Sequence, residues 1–198
     1  MSFDVLLALI GFAFVTSVTP GPNNFMLLAS GVNFGFRRTL PHMLGIGVGF
    51  FSLLLAVGFG LGALLTAFPS LHLALKIGGG LYLIYLAWRI AMSRSLPGKT
   101  DSAGRPMWFI EAAGFQWINP KAWMMAVTSM AIYTNPQSPF ASVFLVAGAY
   151  VLVNFPSVSV WTGFGVVLRS FLDDPVRLKW FNIAMGVALV LTLLPMLR

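Results

Sequence analysis

Apolar residues come in long runs along this chain, and polar positions gather in short gaps between them. Each run holds roughly the 20 predominantly apolar residues that an α-helix needs to cross a hydrocarbon core. The pattern predicts six helical segments: 3–33, interrupted near 19–24; 42–67; 71–92; 107–132, interrupted near 119–120; 140–168; and 178–197. Pro69, Pro136 with Pro139, and Pro175 punctuate three of the gaps.

The two interruptions carry the most information. Residues 15–28 read VTSVTPGPNNFMLL, which places two prolines, a glycine and two amides inside an otherwise apolar segment. Proline lacks an N–H, clashes with the preceding turn and pushes the residue before it out of the α region. Thr19-Pro20, Gly21-Pro22 and Asn119-Pro120 should therefore each end or bend a helix. Asn119-Pro120 also has the chemistry of a fresh start, with Asn as N-cap and Pro at the first helical position. The run Thr19–Asn24 can start a second half-helix in the same way, with its capping residue left open.

Broken backbone at membrane depth must be buried in protein or line a wet cavity, because lipid satisfies no amide. The free N–H groups at the start of a half-helix suit an anion such as a carboxylate. Lys121 would strengthen that preference, and Asn23 and Asn24 add amides able to face a polar solute. A single break of this kind reads as a proline kink whose polar neighbours repair the backbone. Two breaks in corresponding positions favour a site.

Composition fixes the class. Hydrophobic residues make up 58% of 198 positions and charged residues 9%, with mean hydropathy +0.87. No stretch is polar enough for a soluble domain. A net charge of +7 would suggest nucleic acid in a soluble protein, but the charge distribution excludes that partner here. Nine of the twelve Lys and Arg (Arg37, Arg38, Arg89, Arg94, Lys99, Arg105, Arg169, Arg177 and Lys179) fall in or beside alternate gaps, which is the positive-inside signature. It predicts those gaps as cytoplasmic and both termini outside, with Arg198 as a mild counter-signal. Val5–Val18 follows Asp4 with no basic residue before it and no small-x-small cleavage pattern, so it is expected to stay as the first span.

The halves match in plan. The interruption at Pro20–Pro22 recurs at Pro120, and Lys76 with Gly80 have counterparts in Lys179 and Gly186. Three spans per half turn the second copy upside down, an arrangement common among transporters. The expected fold is an all-α membrane protein of six transmembrane helices as two inverted three-helix repeats, with helices one and four broken near the midplane. The repeats are 1–92 and 107–198, joined by a basic cytoplasmic linker, 93–106.

Other polar residues rank lower. Lys76 is a candidate gating charge, although a lysine near a helix end usually snorkels. Glu111 and Asp4 are candidate proton-coupling carboxylates, or else interfacial acids that favour the helix dipole. Gln116, Asn154 and Asn182 are candidate interior polar contacts, with hydrogen bonding between helices as the equal alternative, and Asn154-Phe155-Pro156 is a candidate kink. Gly45/Gly49 and Gly58/Gly62 have the small-xxx-small spacing of close helix packing. His42 and His72 lie at span edges without partner ligands, so no metal is expected. With five acids, two histidines and no cysteine, no nucleophile–base or metal constellation is visible; neither a cofactor nor an enzyme is expected.

These residues also carry a resemblance. "TPGPNN" at 19–24, followed by Gly31, Gly35-Phe36-Arg37 and Gly45, resembles the first repeat of the LysE/RhtB amino-acid exporter family. "LKIGGGLYLIYLAWRI" at 75–90 is similar to its third span, and "NPKAW" at 119–123 to its fourth-span motif. The run through "GFRRTLPHMLGIGVGF" is most similar to the cysteine/O-acetylserine exporter branch, while segments five and six match only in general plan. The resemblance implies a bacterial inner-membrane exporter of amino acids or close derivatives, energised by the proton gradient. Its signature positions fall on Pro20, Gly21, Pro22, Asn23, Lys76, Asn119, Pro120 and Lys121. The expected partners are a small-molecule amino acid and the lipid bilayer, and a homo-oligomer is compatible with the sequence. The rival reading is a passive channel or facilitator for small polar solutes.

Overall fold

The computed structural model describes residues 1–62, 69–93 and 105–194, without the side chains of Pro69, Leu71 and His72. Residues 94–104, which include Arg94 and Lys99 of the expected linker, lie outside the described residues, as do 63–68 and Arg198. Eight α-helices are present among the described residues: α1 Phe3–Val18, α2 Pro22–Phe34, α3 Phe36–Ala56, α4 Pro69–Ala91, α5 Phe109–Gln116, α6 Pro120–Tyr133, α7 Pro139–Arg169 and α8 Pro175–Leu191. A π-helical turn, Val57–Leu61, extends α3.

Proline and glycine punctuate the chain where their backbones require it. Pro22, Pro120, Pro139 and Pro175 each open a helix, where the missing N–H costs nothing. Gly35, at φ 79°, supplies the left-handed residue that separates α2 from α3. That one-residue turn corrects the second segment, whose expected start at 42 moves back to Phe36. Pro41 is tolerated inside the helix because the carbonyl it strands, on Arg37, belongs to an exposed residue near the helix start. The same shift corrects His42, which is a buried residue of α3 rather than a span-edge one. In α7 the helix continues through Pro156 for 31 residues.

Phe36–Leu61, Leu73–Ala91 and Pro139–Arg169 are each long and apolar enough to cross a membrane. The pair α1–α2, bent by 57° at the first break, makes a fourth span if taken as one. Phe14, Leu81, Trp88, Leu152 and Val167 stand on an exposed apolar surface, as a multi-pass membrane protein requires.

Helix α2 packs most extensively on α7, α3 on α5 and on α7, α4 on α8, and α1 on α7. Glycines set the closest approaches. A Cβ on Gly31 would strike the Thr162 carbonyl, and one on Gly165 the Leu28 carbonyl. Gly45 and Gly49 lie against the backbone of Phe109 and Ala113, and Gly58 against Val143. This is the small-residue packing expected of Gly45/Gly49 and of Gly58.

Two apolar cores result. One gathers Leu9, Phe50, Leu53, Met125 and Val146 around the fully buried Tyr150, and the other gathers Met26, Ile46, Leu83, Phe115 and Val158. Asn33 and Asn182 exchange amide hydrogen bonds of 2.9 and 3.2 Å, and the Ser93 hydroxyl donates to Asn33 Oδ1 at 3.0 Å, tying the ends of α2 and α4 to the middle of α8.

Candidate functional site at the two helix breaks

The first break leaves α1 with stranded carbonyls, and side chains from three helices, α2, α6 and α7, cover them. Asn24 Nδ2 donates to the carbonyls of Ser17 and Thr19, both at 2.9 Å. Trp161 Nε1 reaches the Val18 carbonyl at 3.2 Å. Lys121 Nζ donates to the Thr19 carbonyl at 2.5 Å and lies 3.5 Å from that of Pro20. A cation is favourable there because the carbonyl end of a helix carries partial negative charge. Gly21 makes room for it: a Cβ would stand 2.8 Å from Lys121 Cδ and 3.0 Å from Nζ.

The start of α2 is the opposite case. Its N-cap is Gly21, which offers no side-chain acceptor, and Pro22 occupies the first position. At the second break Asn119 caps α6, its Oδ1 accepting from the Lys121 N–H at 3.1 Å. The breaks are joined laterally by two amides. Asn23 Nδ2 donates to Gln116 Oε1 at 2.8 Å, and Gln116 Nε2 returns a 3.2 Å bond to Asn23 Oδ1.

A cavity of about 370 Å³, its mouth included, opens between these elements where the two apolar cores meet. Gly21, Asn23, Asn24, Gln116, Asn119 and Lys121 supply its polar wall, with Ile46, Phe50, Met125 and Val158 opposite in character. Asn154 adds a polar group from α7: its Nδ2 donates to Ser17 Oγ at 3.2 Å, while its buried Oδ1 has no partner. An unpaired buried acceptor costs ~1–3 kcal/mol, and Asn154 carries one within a residue that lines the cavity.

Five of the expected site residues, Gly21, Asn23, Asn24, Asn119 and Lys121, line this cavity. Pro20, Pro22 and Pro120 lie outside its lining and act on the backbone alone. Lys76 on α4, Asp4 in the first turn of α1 and Glu111 in that of α5 also stand outside it. Glu111 is occupied: Arg105 binds its two oxygens at 2.6 and 2.7 Å, and the Trp108 N–H donates to Oε2 at 2.7 Å. Among the described residues no cluster of His, Asp or Glu could hold a metal.

Gln116 and Asn154, read in sequence either as interior polar contacts or as hydrogen bonds between helices, do both: each lines the cavity and each bonds a residue of another helix. Trp161 carried no signal at all. Its role follows only from the packing of α7 on the first break.

Comparison with known proteins adds to this geometry. A family model described as LysE type translocator matches residues 14–194. The chain is 32% identical over 155 residues to the cysteine/O-acetylserine efflux protein of Escherichia coli K12, covering 77% of this chain and 76% of that one. The protein of the same name from Shigella sonnei matches to the same extent, and that from Shigella flexneri is 32% identical over 144 residues, 72% of this chain and 71% of its own. No solved structure matches the chain significantly.

Proposed function

The chain belongs to the LysE type translocator family, and on that premise we propose that it exports small amino acids or close derivatives through the cavity between its two helix breaks. Membership makes it a transporter rather than an enzyme. The relatives named for cysteine and O-acetylserine efflux support small, neutral zwitterions as the substrate class.

One observation carries the reading: two breaks far apart in sequence meet around one cavity, and Lys121 of the second reaches the first across 102 residues. The substrate carboxylate sits at the uncapped start of α2 beside Lys121, where N–H groups and a cation favour an anion. Asn154 Oδ1 accepts from the substrate ammonium. The Asn23–Gln116 amide pair closes the wall between them.

The chain crosses the bacterial inner membrane six times, as inverted repeats of residues 1–92 and 107–198 joined by the cytoplasmic linker 93–106, with both termini outside. The packing supports this plan. The first broken segment, α1–α2, leans on α7, the second span of the other half, and the start of the second, α5, leans on α3, the second span of its own partner half. The third spans, α4 and α8, pair with each other. Rocking one repeat against the other would open the cavity to each side in turn, coupled to the proton gradient.

Purified protein in liposomes, offered a panel of amino acids that includes cysteine and O-acetylserine, tests the reading. Saturable transport with accumulation driven by a pH gradient is expected. Saturable flux that only equilibrates would identify a passive facilitator, and transport of no amino acid would overturn the exporter reading.

A further inference from the structure

Among the described residues, one buried ionisable side chain that the proposed transport site does not use also lacks a hydrogen-bond partner. His42 is 2% exposed on α3, and neither Nδ1 nor Nε2 has a hydrogen-bond partner. A neutral imidazole carries one N–H donor and one lone-pair acceptor, so both capacities stand open where buried polar groups are otherwise paired. Ionisable side chains buried within membrane-crossing helices mark ion and proton pathways. His42 also lies one helical turn from Ile46 and two from Phe50, which both line the cavity. Residues four apart share a helix face, so His42 stands on α3 one turn beyond the lining residue Ile46, enclosed rather than on the cavity wall itself.

We propose that His42 is the proton carrier that couples export to the proton gradient. The inference rests on the exporter reading and names its coupling group. The free ring nitrogen accepts one proton from water on one side of the membrane, and the imidazolium returns that proton to water on the other. Only an N–H bond forms and breaks, and one proton enters for each substrate that leaves. Neutral His42 has one donor and one acceptor, whereas the imidazolium has two donors. The two forms demand different surroundings, so protonation biases the equilibrium between two packings of the repeats.

The neighbouring charges narrow the choice. The helices packed on α3 bring Glu111 on α5, Lys121 and Tyr133 on α6, and Tyr150 and Arg169 on α7, while α2 brings no titratable group. Of these, Glu111 acts electrostatically on His42. Its carboxylate is held by Arg105 and the Trp108 N–H, which makes it a fixed charge rather than a proton carrier. Tyr150 is committed to Thr16 Oγ1 at 2.9 Å, and Lys121 to the carbonyls of the first break.

The test uses the full chain in liposomes as wild type, His42→Leu and His42→Asn. Counterflow of labelled O-acetylserine or cysteine without any gradient reads substrate exchange. Accumulation under an imposed pH gradient, with a pH dye trapped inside, reads coupling. Both variants are expected to keep counterflow while losing accumulation and the substrate-driven pH change. Accumulation at the wild-type level in either variant overturns the proposal, and so does loss of counterflow in both, which would make His42 a packing residue. A wild-type protein that transports neither substrate overturns the exporter reading, and this inference with it.

Discussion

Lys121 Nζ donates to the Thr19 carbonyl at 2.5 Å, so a residue in the first turn of the second half-helix caps the end of the first. The two breaks are therefore one structural unit, and the ammonium serves two demands. It neutralises the carbonyl end of α1, and Lys121 is at the same time one of the residues that line the cavity.

Lys121→Met keeps the apolar stem and removes the charge. Loss of a charge-assisted hydrogen bond of ~1.5–3 kcal/mol corresponds to a fall in transport of roughly 10- to 100-fold. Membrane abundance, read by immunoblot, is expected to stay near wild type. Lys121→Arg should recover part of the activity, since it restores the cation with a different fork geometry. Full transport by Lys121→Met would remove Lys121 from the site.

The Asn23–Gln116 pair is reciprocal: Gln116→Ala removes both side-chain hydrogen-bond partners of Asn23, and Asn23→Ala leaves Gln116 Oε1 unpaired while Nε2 keeps the Ala112 carbonyl at 2.9 Å. Asn23→Ala and Gln116→Ala should each destabilise the detergent-solubilised protein by ~1–3 kcal/mol, the cost of an unpaired buried amide. The double variant should lose less than the sum, with a coupling of roughly 0.5–3 kcal/mol. Strict additivity in an unfolding titration would show that the two amides do not act as a pair.

Close helix approach makes a graded prediction for the glycines. Gly31→Ala and Gly165→Ala place a methyl against the carbonyls of Thr162 and Leu28, and overpacking of this kind typically costs ~1–3 kcal/mol. Gly11→Ala meets nothing within 4 Å and should be neutral or stabilising by ~0.5–1 kcal/mol, because alanine orders a helix at less entropic cost. Thermal midpoints in detergent rank the three. Equal midpoints for Gly31→Ala and Gly11→Ala would contradict the packing of α2 on α7.

Much of this was legible in the sequence, and for definable reasons. Proline acts through its own backbone, so Pro22 and Pro120 announced both half-helix starts, and Asn119 announced its cap. The polar partners were less legible because they depend on which helices meet. Gln116 pairs with Asn23 across 93 residues and Asn154 with Ser17 across 137, distances at which sequence pattern carries no register. The start of α3 was misplaced because Arg37 and Arg38 read as a gap. Gly35 alone makes the turn, and the helix tolerates a proline near its exposed end. That misplacement hid His42, which moved from a span edge into the core.

The central claim is that substrate occupies the cavity at the paired breaks, and the absence of native cysteine allows a direct measurement. Met125→Cys puts a single thiol on the cavity wall. In a transport-competent Met125→Cys protein, O-acetylserine at saturating concentration is expected to slow labelling of that thiol by a small methanethiosulfonate, and an amino acid that is not transported is not. Labelling at the same rate with and without a transported substrate would place the binding site elsewhere.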